Sequence, residues 1–260
     1  MNTSIEEKAE PKRNLLLLYM IEHLLGGFLM LRVVTRGSIF DSSCEYLTNT
    51  INTVGAMGAG LALEFRLRVP EMYQLYKEKC TSGKIKIGEY WVYDRPNRTG
   101  KIILNFPVKK GFNHPSKWEY IIEGLRYFVQ NYRKDNITSI AMPTLGSRLG
   151  KLDDEGVFIM MQEDLQNLPI TIEIYRKYEQ DRLTKCVKRL ISEMTVSEIS
   201  REFGLSTSKS EQIKARVSEV FLLSDLVIFH KMSIRLVQML YDLGFDKSTR
   251  LKMTSFTGMQ

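Results

Sequence analysis

Hydrophobic and polar positions follow two different patterns along this chain. From about residue 28 to 176, short β-rich runs alternate with longer stretches of helical period. Residues 28–35 and 45–51 are rich in branched and aromatic side chains and end in Gly- or Asn-containing turns, which predicts strands. Residues 60–79 predict one helix, with Leu61, Phe65, Tyr73 and Tyr76 on a shared face. Residues 88–93 and 101–106 predict two extended segments, parted by Asp94, Arg95, Pro96 and Asn97. A helix over 116–133 follows, with Ser116 and Glu119 placed as a capping box. A buried-type strand over 137–142, a helix over 153–165 and an alternating strand over 170–175 complete the series. Strands alternating with helices predict an α/β fold with a mostly parallel or mixed sheet.

After Arg176 the texture changes: glycine and proline become scarce and short amphipathic helices take over. Thr195 with Glu198, and Ser208 with Glu211, read as two capping boxes around a Gly204-Leu205-Ser206 turn. Val196, Ile199, Phe203, Leu205 and Ile213 would form a small shared core. This is a helix-turn-helix pattern, although Ser210 stands where an apolar residue is usual. Lys209, Lys214 and Arg216 are its candidate DNA contacts. A last helix over 233–243 is expected to end at Gly244. The expected organisation is an N-terminal extension (1–27), an α/β domain (28–178) and a small all-α domain (179–260).

Composition adds three constraints. The net charge is +7. From Arg176 onward there are 15 Lys and Arg against 10 Asp and Glu, so most of the excess lies in the helical third and leans toward a polyanion. Cys44, Cys80 and Cys186 are too scattered for a disulfide framework or a metal site, which points to a reducing, cytoplasmic setting without metal or cofactor. The apolar run from Leu15 to Val34 is interrupted by Glu22, His23 and Arg32 and split by Gly26-Gly27. It therefore reads as a helix to about Leu25 followed by a strand, not as a membrane span.

The chemistry concentrates in two loops. Asn52-Thr-Val-Gly55-Ala-Met57-Gly58-Ala59-Gly60 joins a strand to a helix, the usual setting for a diphosphate held on backbone N–H groups. Pro143-Thr144-Leu145-Gly146-Ser147-Arg148-Leu149-Gly150 follows a second strand and can close on the same ligand. The first loop, Leu104-Asn105-Phe106-Pro107-Val108-Lys109 and Ser139-Ile140-Ala141-Met142-Pro143-Thr144-Leu145-Gly146 resemble the macrodomains of the DarG antitoxin and the terminal ADP-ribose protein glycohydrolase, whereas Gly146 to Leu152 departs from that family's glycine-rich second loop. The resemblance spans about residues 31–176 and implies a three-layer α/β/α fold with a mixed sheet.

It also implies a function: hydrolytic removal of ADP-ribose from a macromolecule, DNA before protein, with Lys109 as catalytic amine and Asn52 facing the distal ribose. Gly55, Met57, Gly58, Ala59 and Gly60, together with Thr144, Leu145, Gly146, Ser147, Arg148, Leu149 and Gly150, would bind the ligand. From the residues themselves, Asn52 also fits an Asx turn, and Lys109 and Lys110 also fit a pair of solvated loop lysines. Lys110 is the expected second cation that lowers the pKa of Lys109. Ser38 stands where the family has an adenine-binding aspartate, and Gly150 where the protein-directed branch has an acid. The alternative is a reader that binds ADP-ribose without cutting, tethered by its helical tail to DNA or a partner protein. A toxin ADP-ribosyltransferase is the further partner that the resemblance implies.

Overall fold

The computed structural model describes the backbone of residues 30–94 and 100–256, with side chains as far as residue 245. The expected N-terminal extension, the first residues of the strand expected from 28, and Arg95, Pro96 and Asn97 lie outside the described residues. Six strands form one mixed sheet: β1 (Leu31–Val34), β2 (Tyr46–Asn52), β3 (Trp91–Tyr93), β4 (Ile102–Lys109), β5 (Ser139–Pro143) and β6 (Thr171–Tyr175). Their order is β1-β6-β5-β2-β4-β3, parallel throughout except for the antiparallel edge strand β3.

Helices α1 (Gly60–Arg68) and α2 (Pro70–Thr81) lie on one face of the sheet. Phe65, Met72 and Tyr76 pack there on Leu47, Ile51 and Ile103. Helices α3 (Trp118–Asn131) and α4 (Asp154–Leu165) cover the other face, where Ile121, Phe128 and Met161 meet Phe106, Ile140 and Ile172. Burial on both faces explains why β5 reads as a nearly continuous apolar run, whereas β6 alternates because Glu173 is buried with polar partners, accepting from Ser42 Oγ and the Tyr175 hydroxyl.

Local chemistry overrides the sequence pattern at several points. The single helix expected over 60–79 breaks at Val69-Pro70, because Pro70 has no N–H and instead opens α2 at its first turn. Ser116 does not cap α3: Lys117 stands at that cap without a side-chain bond. The Ser116 amide instead donates to Gly150 O at 2.8 Å, tying α3 to the loop after β5. Asp153 does cap α4, accepting from Gly156 N at 2.7 Å.

The helical third contains α5 (Arg182–Glu193), α6 (Val196–Phe203), α7 (Thr207–Arg216), α8 (Leu223–Ile228) and α9 (Ile234–Phe256). The Thr195–Glu198 capping box is present, and Gly204 ends α6 in the left-handed region at φ 61°. The second expected box is replaced: Ser206, not Ser208, caps α7 by accepting from Lys209 N. Ser210 is fully buried, but its hydroxyl bonds Ser200 at 2.9 Å and Ser206 O at 3.1 Å, so a polar residue is tolerated in that core. Gly244 does not end the last helix. α9 runs through it, and a Cβ there would stand 2.8 Å from Val187 Cγ2, so this glycine lets α9 cross α5 closely.

The boundary expected at 178/179 falls between β6 and α5, yet the two parts share one core. Leu63 and Leu67 of α1 pack with Val187, Leu190, Leu223 and Leu240 of the helices. Beneath them Arg68 is buried between Glu64 and Asp181, bonding Asp181 Oδ2 at 2.6 Å and pairing with Glu64. Glu64 also accepts from the Ser224 amide at the start of α8. Among the described residues no helix is long and apolar enough to cross a membrane.

Candidate functional site

The site begins with an irregularity between β2 and β4. The strands pair in register up to Ile51 opposite Pro107, then slip by one so that Asn52 pairs with Lys109. Pro107 lacks the N–H that a regular ladder uses, and the slip follows directly after it. This bulge places the two residues expected to handle the distal sugar side by side at the carboxyl end of the sheet, where open α/β sheets bind ligands.

Asn52 organises the first loop. Its Oδ1 accepts from Val54 N at 3.0 Å and Ala56 N at 3.2 Å, while Nδ2 donates to Ala56 O at 2.6 Å. The Tyr76 hydroxyl donates to Asn52 O at 2.7 Å, and burial pushes its pKa up. An Asx-type turn is thus formed, and the same side chain also lines the cleft.

The cleft encloses about 370 Å³ between the loops after β2, β4 and β5 and the segment after β6. Gly58, Ala59 and Gly60 line it at the start of α1, whose unpaired amides and dipole favour an anion. A Cβ on Gly58 would meet nothing within 4 Å, so no packing within the protein demands glycine there; the open space faces the cleft. Gly150 is different, since a Cβ there would overlap Gly146 O and Ser116 Oγ. Gly146, at φ 71°, turns the second loop. Thr144 Oγ1 braces the base of that loop on Asp154 Oδ1 at 2.5 Å, and Arg176 holds the same carboxylate from the other side. Burial raises the Asp154 pKa, but the bonds from Thr144, Arg176 and Ser147 outweigh it and hold it below the usual range.

The Macro domain family model matches residues 48–161, from β2 into α4. The solved macrodomain of Mycobacterium tuberculosis DarG is 39% identical with a TM-score of 0.54, the match taking in 56% of this chain and 97% of that one. This chain belongs to the macrodomain family. The structure of Thermosipho africanus DarTG in complex with ADP-ribose is 33% identical with a TM-score of 0.53, covering 56% of this chain and 41% of that one. A relative named DNA ADP-ribosyl glycohydrolase, from Thermus aquaticus, is 41% identical over 155 residues, or 59% of this chain and 43% of that protein. The chain therefore spans less than half the length of that relative.

Within this macrodomain, Lys109 reaches across the mouth of the cleft. Its Nζ donates to Phe112 O at 3.1 Å and Leu149 O at 3.2 Å, joining the loops after β4 and β5. Among the described residues no carboxylate pairs with it. Its pKa is lowered by burial first and by the nearby Lys151 ammonium second, so Lys151 takes the part expected of Lys110.

Of the expected ligand residues, Gly58, Ala59, Gly60, Thr144, Gly146, Ser147, Arg148, Leu149 and Gly150 line the cleft with Asn52 and Lys109. Met57 and Leu145 do not: their side chains are buried in the cores on opposite faces of the sheet. Gly55 forms a positive-φ turn against Lys77 and Cys80 of α2 instead. Ser38 lies outside the cleft and caps a short turn over Ile39–Asp41.

The three candidate DNA contacts all have partners within the helical third. Lys209 Nζ donates to His230 O at 2.5 Å, Lys214 Nζ to Ser192 O at 3.1 Å and to Met194 O, and Arg216 pairs with Glu219 at 2.7 Å. Sequence reasoning missed Glu64, Phe112, Tyr178 and Leu222, all of which line the cleft. Phe112, three residues after the lysine, could have been found by proximity; the others arrive through tertiary packing.

Proposed function

We propose that this protein removes ADP-ribose from DNA, with Lys109 as the catalytic nucleophile. The observation that carries the reading is the β2–β4 bulge, which sets a lysine of lowered pKa beside Asn52 at the end of an anion-binding cleft. The start of α1 and the loop at 146–150 would hold the diphosphate, leaving the terminal ribose at Lys109.

In its neutral form the Lys109 amine leaves the two carbonyls and attacks the anomeric carbon. The bond from that carbon to the modified group breaks, and its electron pair leaves with that group, which takes up a proton. Ring opening gives a protonated imine. Water then adds and expels the amine, so ADP-ribose departs and Lys109 is restored. A DNA substrate is supported by the name of the Thermus aquaticus relative and by the cleft mouth. There an exposed ring, Phe112, stands beside Lys109, with the exposed cations Lys110 and Lys151 nearby, a combination suited to an unpaired base and its phosphates.

The natural partner is then the enzyme that writes the mark. A Thermosipho africanus relative, 31% identical over 163 residues, is named as a fusion of a DNA ADP-ribosyl transferase with a DNA ADP-ribosyl glycohydrolase. One observation favours the non-catalytic reader as second reading: Lys109 is hydrogen-bonded to two carbonyls and can serve as a clasp between loops. Incubation with ADP-ribosylated single-stranded DNA and with ADP-ribosylated protein separates these cases. The proposal expects ADP-ribose to be released faster from the DNA; binding without release from either would favour the reader.

A further inference from the structure

The helical third returns to the ligand cleft. Leu222, in the turn before α8, lines the same cavity as Asn52 and Lys109. Several bonds fix this turn. Gln180 Nε2 donates to Val220 O at 2.9 Å, and the Asp225 carboxylate accepts from the amides of Phe221 and Leu222, each at 2.6 Å. The Ser224 amide donates to Glu64, which itself lines the cleft and pairs with Arg68. The core of the helical third is packed by Val220, Leu223 and Leu226, whereas Leu222 is only half-buried and is not part of it. Its side chain is therefore not what holds these helices together.

We infer that the helical third forms one wall of the ligand site, and that Leu222 is a specificity-determining contact for the nucleoside end of bound ADP-ribose. This rests on the proposed ligand. The strand order places β4, β2, β5 and β6 side by side, so Lys109 and the residues ending β6 are three strand spacings apart, about 14 Å. A ligand with its terminal ribose at Lys109 and its diphosphate over the glycine loops brings its base to the β6 end. There it meets Leu222 and Tyr178, whose ring carries the Arg148 guanidinium 4.6 Å from its centre. The Tyr178 hydroxyl is buried and has no hydrogen-bond partner among the described residues. An apolar side chain and an aromatic ring suit the face of a flat heterocycle. The basic helices are thus part of the binding site, and the cleft is incomplete without them.

The test uses the full chain, with free ADP-ribose titrated by calorimetry into wild type, Leu222→Ala, Leu222→Gln and Phe221→Ala. Losing this apolar contact should weaken binding about five- to tenfold in both Leu222 variants. The Gln variant keeps the side-chain volume and covers the case of an unfolded alanine variant. Phe221→Ala, at the neighbouring exposed residue, should bind as wild type does. With modified DNA, Leu222→Gln should raise KM and leave kcat unchanged. Wild-type binding matched within twofold by the folded Leu222 variants would overturn this inference alone. A wild type that binds no ADP-ribose would overturn the ligand reading, and the inference with it.

Discussion

Replacing Arg68 with alanine tests how the two parts of the chain are held together. Arg68 is 8% exposed, paired with Glu64 and Asp181, and its guanidinium lies 3.9 Å over the Phe40 ring. Burial disfavours its charge, but the two carboxylates more than compensate and raise its pKa. Without the guanidinium, Glu64 and Asp181 remain buried, 1% and 2% exposed, and among the described residues neutral donors such as the amides of Ser224 and Thr184 are left to answer them. Stranding buried charge in this way costs about 3–5 kcal/mol. At about 2–4 °C per kcal/mol for a domain of this size, the melting midpoint should fall by roughly 10 °C.

Urea unfolding at neutral pH, repeated near pH 3, measures the effect and its origin. Burial raises the Asp181 pKa, but Arg68 and the bonds from Thr184 outweigh it, so the folded value is depressed. Its stabilisation is therefore present above the unfolded value, about 3.9, and is lost as pH falls through the lower folded value. The gap between wild type and variant should accordingly narrow in acid. A loss below about 1 kcal/mol at neutral pH, or a gap that widens in acid, would mean that Arg68 does not neutralise these carboxylates in the fold.

Two further predictions concern the site and the helical third. Lys151→Gln removes a cation that helps lower the Lys109 pKa, so that pKa should rise. In the proposed mechanism the neutral amine reacts, so kcat/KM should fall near neutral pH and its profile shift to higher pH; an unmoved profile would remove Lys151 from this role. Ser206→Ala should cost about 1 kcal/mol in urea unfolding while Ser208→Ala costs almost nothing, and the opposite ranking would restore the cap expected from sequence.

The alternation of strands and helices was legible in the sequence because most strand positions facing the two helical layers are apolar, while buried polar residues such as Asn49, Asn105 and Glu173 interrupt them without ending the strands. The glycine loops were legible because chain reversal beside a ligand admits few residue types. Lys109 was found through the block that contains it, but its neighbourhood was not: Lys151 approaches from the loop after β5 and displaces Lys110 as the relevant cation. Misreadings arose where one residue satisfies two demands. Ser116 matches a capping box locally, yet its amide is taken by Gly150 O. Gly244 looks like a helix end, yet it serves a helix crossing. Lys209, Lys214 and Arg216 were named from their charge alone; each has a carbonyl or carboxylate partner within the helical third, which the sequence did not reveal. Leu222 carries no local signal at all, since only the docking of α8 on α1 brings it to the cleft.

The proposed role of Lys109 is to cleave the bond to ADP-ribose. It is tested most directly by following release of ADP-ribose from ADP-ribosylated single-stranded DNA by wild type and Lys109→Ala, with ADP-ribose binding measured on the same samples. Wild type should release ADP-ribose, and release should fall at least a hundredfold in the variant while the variant still binds ADP-ribose. Equal release by both proteins would contradict the role of the lysine, and binding without release by either would make this macrodomain a reader.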